Sequence, residues 1–511
     1  MFMRLPVLLL AAIFPVLLLA QEPPVRQQPF AIQVVDRATG RGVPLVRLRT
    51  THEAVWVTDS AGWVAFDEPG LLGRDVFFFV ESDGYEFPAD GFGYRGIRLT
   101  GTPGGEARIE VDRTMIAERL YRVTGAGIYR DSVLLGRDVP LAEPLLNARV
   151  AGQDSVQNAF YKGTLYWFWG DTGRPEYPLG NFATSGATSL LPEQGGLDPA
   201  IGVNLRYFTD QTGFAKAMVN VPEDGLKWID GLMVLPDAEG NERLVAHCER
   251  LRNLGTPLGR SLIVYDDETD TFVTLCAFDK TTTLYPAGRP FRHTESGTEY
   301  FYFPSPFPIV RVPAEWEAIQ DPARYESFTC LEPGATYDKE NPAIERGADG
   351  EPVWGWKRAT QQLGATQQRE LIDNGHLAPD QATIDVHDAA TGGRVLLWSG
   401  TVAWNAYRQR WILIANEMWG KPSNLGEIWY AESERPEGPW RRAVKIATHA
   451  SHSFYNPAHH PFFDQDGGRV IYFEGTYADT FASNAHPTPR YNYNQIMYRL
   501  DLADPRLHLD D

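Results

Sequence analysis

Acidic residues recur at equivalent points of four of five similar segments, at Asp154 and Asp171, Asp230 and Glu249, Glu417, and Glu474. Each segment reads as an apolar strand, a Gly- or Asp-rich turn, and a second, aromatic strand ending in an acidic or polar residue. In an antiparallel pair, the start of the first strand and the end of the second lie at the same end of the sheet. That rule puts Asp154 with Asp171, Asp230 with Glu249, Arg289 with Ser305, Asn405 with Glu417, and Asn456 or His460 with Glu474 on one rim. Crowded carboxylates of uneven burial suit glycosidic cleavage: one stays protonated to act as acid while another stays ionised to activate water or attack carbon. Trp169, Trp228, Trp404, Trp419 and Tyr477 would supply flat faces for sugar rings. Any one carboxylate before a turn is as readily a turn cap, so the weight lies on the recurrence. His459 and His460 are more simply hydrogen-bonded core than a metal pair, and no zinc-type spacing is present. Nor is there a serine nucleophile elbow, Walker loop or dinucleotide fingerprint.

These residues need a scaffold that gathers distant strands. The five segments, within residues 120–505, predict an all-β fold with a five-bladed β-propeller, because such sheets bury their faces only against neighbours. Residues 120–136 would complete the last blade. A stretch over residues 334–393 fits no blade and reads as an insertion, with a helix predicted over 360–374 and two tryptophans, Trp354 and Trp356, that favour packing. Ahead of the repeats, residues 27–115 alternate apolar and polar residues in short bursts separated by turns, the pattern of a small β-sandwich.

Composition narrows the function classes. The chain has 511 residues and a net charge of −19, which argues against nucleic acid as a partner. Residues 1–20 carry Arg4, an apolar run from Leu5 to Leu19, and Ala20, which predicts a secretory signal peptide; no comparable apolar stretch follows, so no membrane span is expected. The expected location is secreted or periplasmic. Three cysteines, Cys248, Cys276 and Cys330, allow at most one disulfide and exclude a disulfide scaffold.

Two resemblances add to this. The run Val35-Asp36-Arg37-Ala38-Thr39-Gly40-Arg41-Gly42-Val43-Pro44, followed by Thr58-Asp59-Ser60-Ala61-Gly62-Trp63-Val64, resembles the carboxypeptidase-regulatory-like, transthyretin-like sandwich, which implies no chemistry of its own. The run from Glu427 through Ala431-Glu432-Ser433 to Pro436-Glu437-Gly438-Pro439-Trp440 resembles the third-strand signature of the five-bladed propeller glycosidases, the superfamily of arabinanases, β-xylosidases and invertases. Gly170-Asp171-Thr172 is similar to a motif of related endo-arabinanases. The resemblance implies a glycoside hydrolase acting on a polysaccharide or oligosaccharide, with Asp154 where the superfamily has its catalytic aspartate. Asp154 would be general base or nucleophile, Asp230 or Asp171 would orient the sugar and tune the acid, and Glu474 or Glu417 would protonate the leaving oxygen. The superfamily's late-blade Glu-Gly-Pro is missing, and Glu249 also remains a candidate acid. Glu249, Arg289, Trp404, Asn405, Asn456, His459 and Tyr477 are the expected substrate contacts. No cofactor is required; relatives sometimes hold a structural cation on the propeller axis, which makes His460 its candidate ligand. The competing expectation is a non-catalytic carbohydrate-binding or adhesive propeller.

Overall fold

The structure, a computed structural model, describes residues 28–181, 183–253, 255–482 and 486–509; the predicted signal peptide lies outside them. Strands account for 44% and helices for 8%, so the all-β class stands.

The N-terminal part is two four-stranded sheets over one apolar core. In the first, Phe30–Asp36 runs antiparallel to Trp63–Phe66 and parallel to Glu106–Arg113. In the second, Arg47–Thr50 lies between Val55–Val57 and Asp75–Glu81. Period-two alternation sends Val76, Phe78 and Val80 inward and leaves Phe77 and Phe79 half-exposed on the outer face.

Beyond it, among the described residues, lie a small three-stranded sheet of Gly152–Gln153, Thr172–Arg174 and Tyr177–Asn181 and five larger sheets, sheets 1 to 5, each built on an antiparallel meander. The first strands of these five are Gln157–Tyr161, Leu226–Pro236, Phe291–Glu295, Leu397–Asn405 and Ser453–His459. Apolar clusters join the sheets in cyclic order. Phe168 of sheet 1 shares an apolar cluster with Leu244 and Tyr265 of sheet 2, Leu262 with Phe301 and Val310 of sheet 3, and Phe307 with Leu413 and Trp429 of sheet 4. Tyr430 then joins Phe454 and Phe473 of sheet 5, and Tyr472 returns to Trp167 and Trp169 of sheet 1. Trp167 is fully buried, stacked on Trp169 and bonded through Nε1 to Ser189 Oγ at 2.8 Å. Trp167→Ala is therefore expected to cost about 3–5 kcal/mol in chemical denaturation. Sheet 5 takes its outer strand, Glu118–Arg122, from ahead of sheet 1. The chain leaves that strand for a loop and the short helix Arg130–Leu134, so the pairing is shorter than residues 120–136.

The stretch 334–393 is not a free insertion. Gly355–Arg358 forms the edge of sheet 3, and Ile384–Asp388 lies parallel to Trp440–Ala447 at the edge of sheet 4. Its helix spans Ala365–Asp373, and Trp354 stacks on Phe328. All three cysteines are free thiols. Among the described residues, no helix is long and apolar enough to cross a membrane.

Candidate active site

The first strands of all five sheets meet in one hydrogen-bonded network. Sheet 4 contributes Ser399, whose hydroxyl donates to Asn456 Oδ1 of sheet 5 at 2.8 Å. Asn456 Nδ2 donates to Ser155 Oγ at 2.7 Å, and Ser155 donates to Asp154 Oδ2 at 3.2 Å. Tyr455 OH reaches the same Oδ2 at 3.1 Å, and the Tyr493 hydroxyl lies against that carboxyl and favours its ionised form. Arg289, heading sheet 3, donates through Nε to Val156 O at 2.7 Å and through Nη2 to Asn456 O at 3.2 Å. Asp230 Oδ1 of sheet 2 accepts from Gly288 N at 2.7 Å, from Gly231 N at 3.0 Å and from Gln157 Nε2 of sheet 1 at 3.0 Å. Asp154 and Asp230 thus belong to one network built from strands distant in sequence.

Local backbone explains how. Ser155 and Asn456, which bond each other, both take left-handed conformations at φ 58° and 50°. Such strain in non-glycine residues persists only where the surroundings enforce it. A register shift between Tyr455 and Ala458 lets adjacent residues of sheet 5 both turn to the network. Gly170 must lack a side chain, since a Cβ there would lie 2.3 Å from Asp154 Oδ1.

Burial sets the electrostatics. The Asp154 carboxyl is pushed up to about 6 by burial and then by the neighbouring Asp171, against the hydroxyls of Tyr455, Ser155 and Tyr493. Asp230 is also pushed up to about 6 by burial, opposed first by the Gly288 N–H and then by Arg289. Burial raises Asp171 too, against Trp228, whose Nε1 approaches its Oδ1 at 3.4 Å. Burial lowers Arg289 to about 10, while Asp230 and Glu474 support its charge.

The other expected residues are not bonded into this network. Glu249 is opposite Trp228, not Asp230, and is ion-paired to Arg260 at 2.9 Å. Glu417 does end its strand at the head of sheet 4, opposite Leu397; it is half-buried, raised by burial, and accepts Trp429 Nε1 at 2.9 Å. Trp404 and Asn405 are at the opposite end of that pair: Asn405 faces Arg410, and its amide donates to Gly468 O at 2.7 Å. The strand starts at Leu397 because Gly400, which resembles a turn residue, allows the close approach of Ile414 O, 2.2 Å from where a Cβ would be. Tyr477 is core, stacked on His452 with its hydroxyl on Thr488 at 2.9 Å, and Trp169 is core as well. His459 turns away from the rim to Asp464 at 2.7 Å. Glu474 shares a strand face with Tyr472, which packs on sheet 1, and is shut from solvent.

His460 lies between Asn158 and Glu474. Its Nδ1 receives the Asn158 amide at 2.8 Å, which leaves the proton on Nε2, 3.4 Å from Glu474 Oε1. Burial also keeps this ring neutral. Among the described residues, no three His, Cys, Asp or Glu groups gather as ligands.

Tyr455, Ser155, Gln157, Ser399 and Tyr493 are participants that strand patterning does not mark; the one local signal is Asn456-Pro457, an irregular pair inside a strand. Exposed aromatics do remain near Asp154. Phe481 meets the Tyr455 ring at 5.7 Å, and Asn424 bridges the Phe481 backbone at 3.3 Å to that of Trp419 at 2.8 Å. Trp419 is 72% exposed.

No protein-family model matches the chain, and no curated protein is significantly similar to it. Among solved structures, the exo-β-1,3-galactanase of Phanerochaete chrysosporium with β-1,3-galactotriose is 10% identical over 70% of this chain and 64% of its own, so this chain spans under two thirds of that length, with a TM-score of 0.34. The Penicillium chrysogenum α-L-arabinanase with arabinobiose is 13% identical over 76% of this chain and 99% of its own, TM-score 0.33. A family-43 glycoside hydrolase of Xanthomonas citri with xylotriose is 12% identical over 68% and 86%, TM-score 0.33. Likeness of this size leaves the activity to be argued from the site itself.

Proposed function

We propose that the five cyclic sheets are the blades of a propeller over residues 120–505, preceded by a carboxypeptidase-regulatory-like sandwich over residues 27–115, and that the protein is an exported glycoside hydrolase, secreted or periplasmic. Its substrate is a polysaccharide or oligosaccharide. The observation that carries this reading is that Asp154 and Asp230, from different sheets, are tied into one hydrogen-bonded network through Ser155, Asn456, Arg289 and Gln157, with both carboxyls pushed up to about 6. Carboxyls tuned into that range suit proton transfer near neutral pH.

Asp154 takes the base or nucleophile role, aimed by Tyr455, Ser155 and Tyr493. Asp230, surrounded by donors, stays ionised as an acceptor for a sugar hydroxyl, with Asp171 in support. Glu417 is favoured as acid, because Glu474 has no access to solvent and Glu249 is held by Arg260. Arg289 spends its guanidinium on backbone carbonyls and acts as the clamp. Screening the protein against plant, algal and bacterial polysaccharides with reducing-end detection tests the reading. Glu417→Gln is expected to lower kcat on the natural linkage by about 10²–10⁴-fold, and far less on an aryl glycoside whose leaving group needs no protonation. The anomer first released, seen by NMR, separates inversion by a base from retention by a nucleophile.

One observation favours the alternative, a non-catalytic glycan-binding site: sheet 3 brings Arg289, not a carboxyl, to the network. That reading predicts glycan binding without release of reducing ends.

A further inference from the structure

A continuous series of contacts leads from the N-terminal sheets to Asp154. Arg490 Nη2 donates to Val57 O at 3.2 Å and to the fully buried Asp131 Oδ2 at 3.3 Å. Asp131 itself accepts Ala65 N at 3.0 Å through Oδ1. Tyr491, 2% exposed, donates its hydroxyl to Thr58 O at 2.8 Å, and the Arg122 guanidinium lies 5.0 Å from its ring centre. Two residues on, the Tyr493 carbonyl accepts Gln153 N at 2.9 Å, one residue before Asp154, while the Tyr493 hydroxyl lies against the Asp154 carboxyl. A Cβ on Gly152 would lie 2.6 Å from the Tyr493 carbonyl oxygen, so the two backbones are as close as glycine permits. Arg490 and Tyr493 both hold left-handed conformations, at φ 64° and 59°. Two such residues in four cost about 1–3 kcal/mol each and need an external constraint to persist. The sandwich supplies that constraint.

We propose that the N-terminal sandwich is a positioning part of the active site: by gripping Arg490 and Tyr491 it fixes the segment that carries Tyr493, and so sets the orientation of Asp154. This rests on the reading of Asp154 as a functional carboxylate and assigns Arg490 and Tyr491 as positioning residues that touch no substrate. The groups that face the Asp154 carboxyl are Asp171, Tyr455, Tyr493 and Ser155; only Tyr493 lies on the gripped segment. Loosening the grip withdraws one hydroxyl from the ionised carboxylate and leaves the others.

The test is the titration of Asp154 in the full chain labelled with carboxyl-¹³C aspartate, its signal identified by loss in Asp154→Asn. Tyr493→Phe is expected to move the midpoint upward by about 0.5 or more. Tyr491→Phe and Arg490→Gln, which leave Tyr493 in place, are expected to give at least half of that displacement, with faster amide exchange over residues 488–493. Arg37→Ala, at an exposed ion pair of the sandwich, is expected to leave the midpoint where it was. The proposal is overturned if Tyr491→Phe and Arg490→Gln speed exchange or lower Tm without moving the midpoint, or if Tyr493→Phe does not move it. If Arg490→Gln fails to fold, Tyr491→Phe, which removes one hydroxyl, decides alone. No substrate enters the measurement, so failure to cleave any glycan counts against the hydrolase reading and not against the grip.

Discussion

Asp154→Asn is expected to lower kcat on a cleaved glycan by about 10²–10⁴-fold while leaving the fold intact. The amide keeps an oxygen for the Tyr455 and Ser155 hydroxyls, so the network has no need to rearrange. The same substitution is expected to raise stability at neutral pH. With its carboxyl raised to about 6, native Asp154 stays protonated between about pH 4 and 6, where an unfolded aspartate has already ionised. The native state then binds more protons, so stability falls as pH rises through that window, and above about pH 6 the cost of the buried charge is complete. Asparagine has no proton to lose. The variant is therefore expected to exceed the parent by about 1–3 kcal/mol at pH 7, and by little near pH 4. Thermal unfolding at pH 4, 5.5 and 7 measures this; a variant less stable than the parent at pH 7 would contradict the burial assigned to the carboxyl.

Gly288→Ala is expected to be the most damaging single methyl in the site. Gly288 sits at φ 96°, and a Cβ there would lie 1.6 Å from Pro304 O and 2.6 Å from Pro304 C, backbone atoms that cannot swing aside. Its N–H is also a donor to Asp230. A loss of more than about 4 kcal/mol follows, with activity falling in the fraction that folds. Gly297→Ala in the same sheet is the control: it too is left-handed, at φ 84°, but has nothing within 4 Å. It is expected to cost only about 1–2 kcal/mol. Denaturant midpoints of the two variants separate collision from conformational strain.

The repeat order was legible because strands half-buried between sheets alternate visibly, and the hairpin rule then located Asp154, Asp171, Asp230, Arg289 and Asn456 near one another. It failed where a residue's meaning depends on a neighbour. The rule paired Asn405 with Glu417, yet the strand already begins at Leu397, with Gly400 inside it so that another backbone can approach, and Trp404 and Asn405 fall at its far end. Glu474 occupies a plausible point along its strand, but the register shift opposite it and the face it shares with Tyr472 bury it between sheets. Tyr493 and its grip come from a loop without periodicity, and their role exists only through partners in another part of the chain.

Sheet 5 has a temporal consequence. Its outer strand is made long before the strand it pairs with; Thr124 and Asn494, which bond across this seam, are 370 residues apart. A chain emerging N-terminus first must hold Glu118–Arg122 open until its distant partner strand Asn494–Asp501 has been delivered. Contacts so remote slow folding, and loss of a few residues from the C-terminal strand would unfasten the whole circle and not merely one sheet.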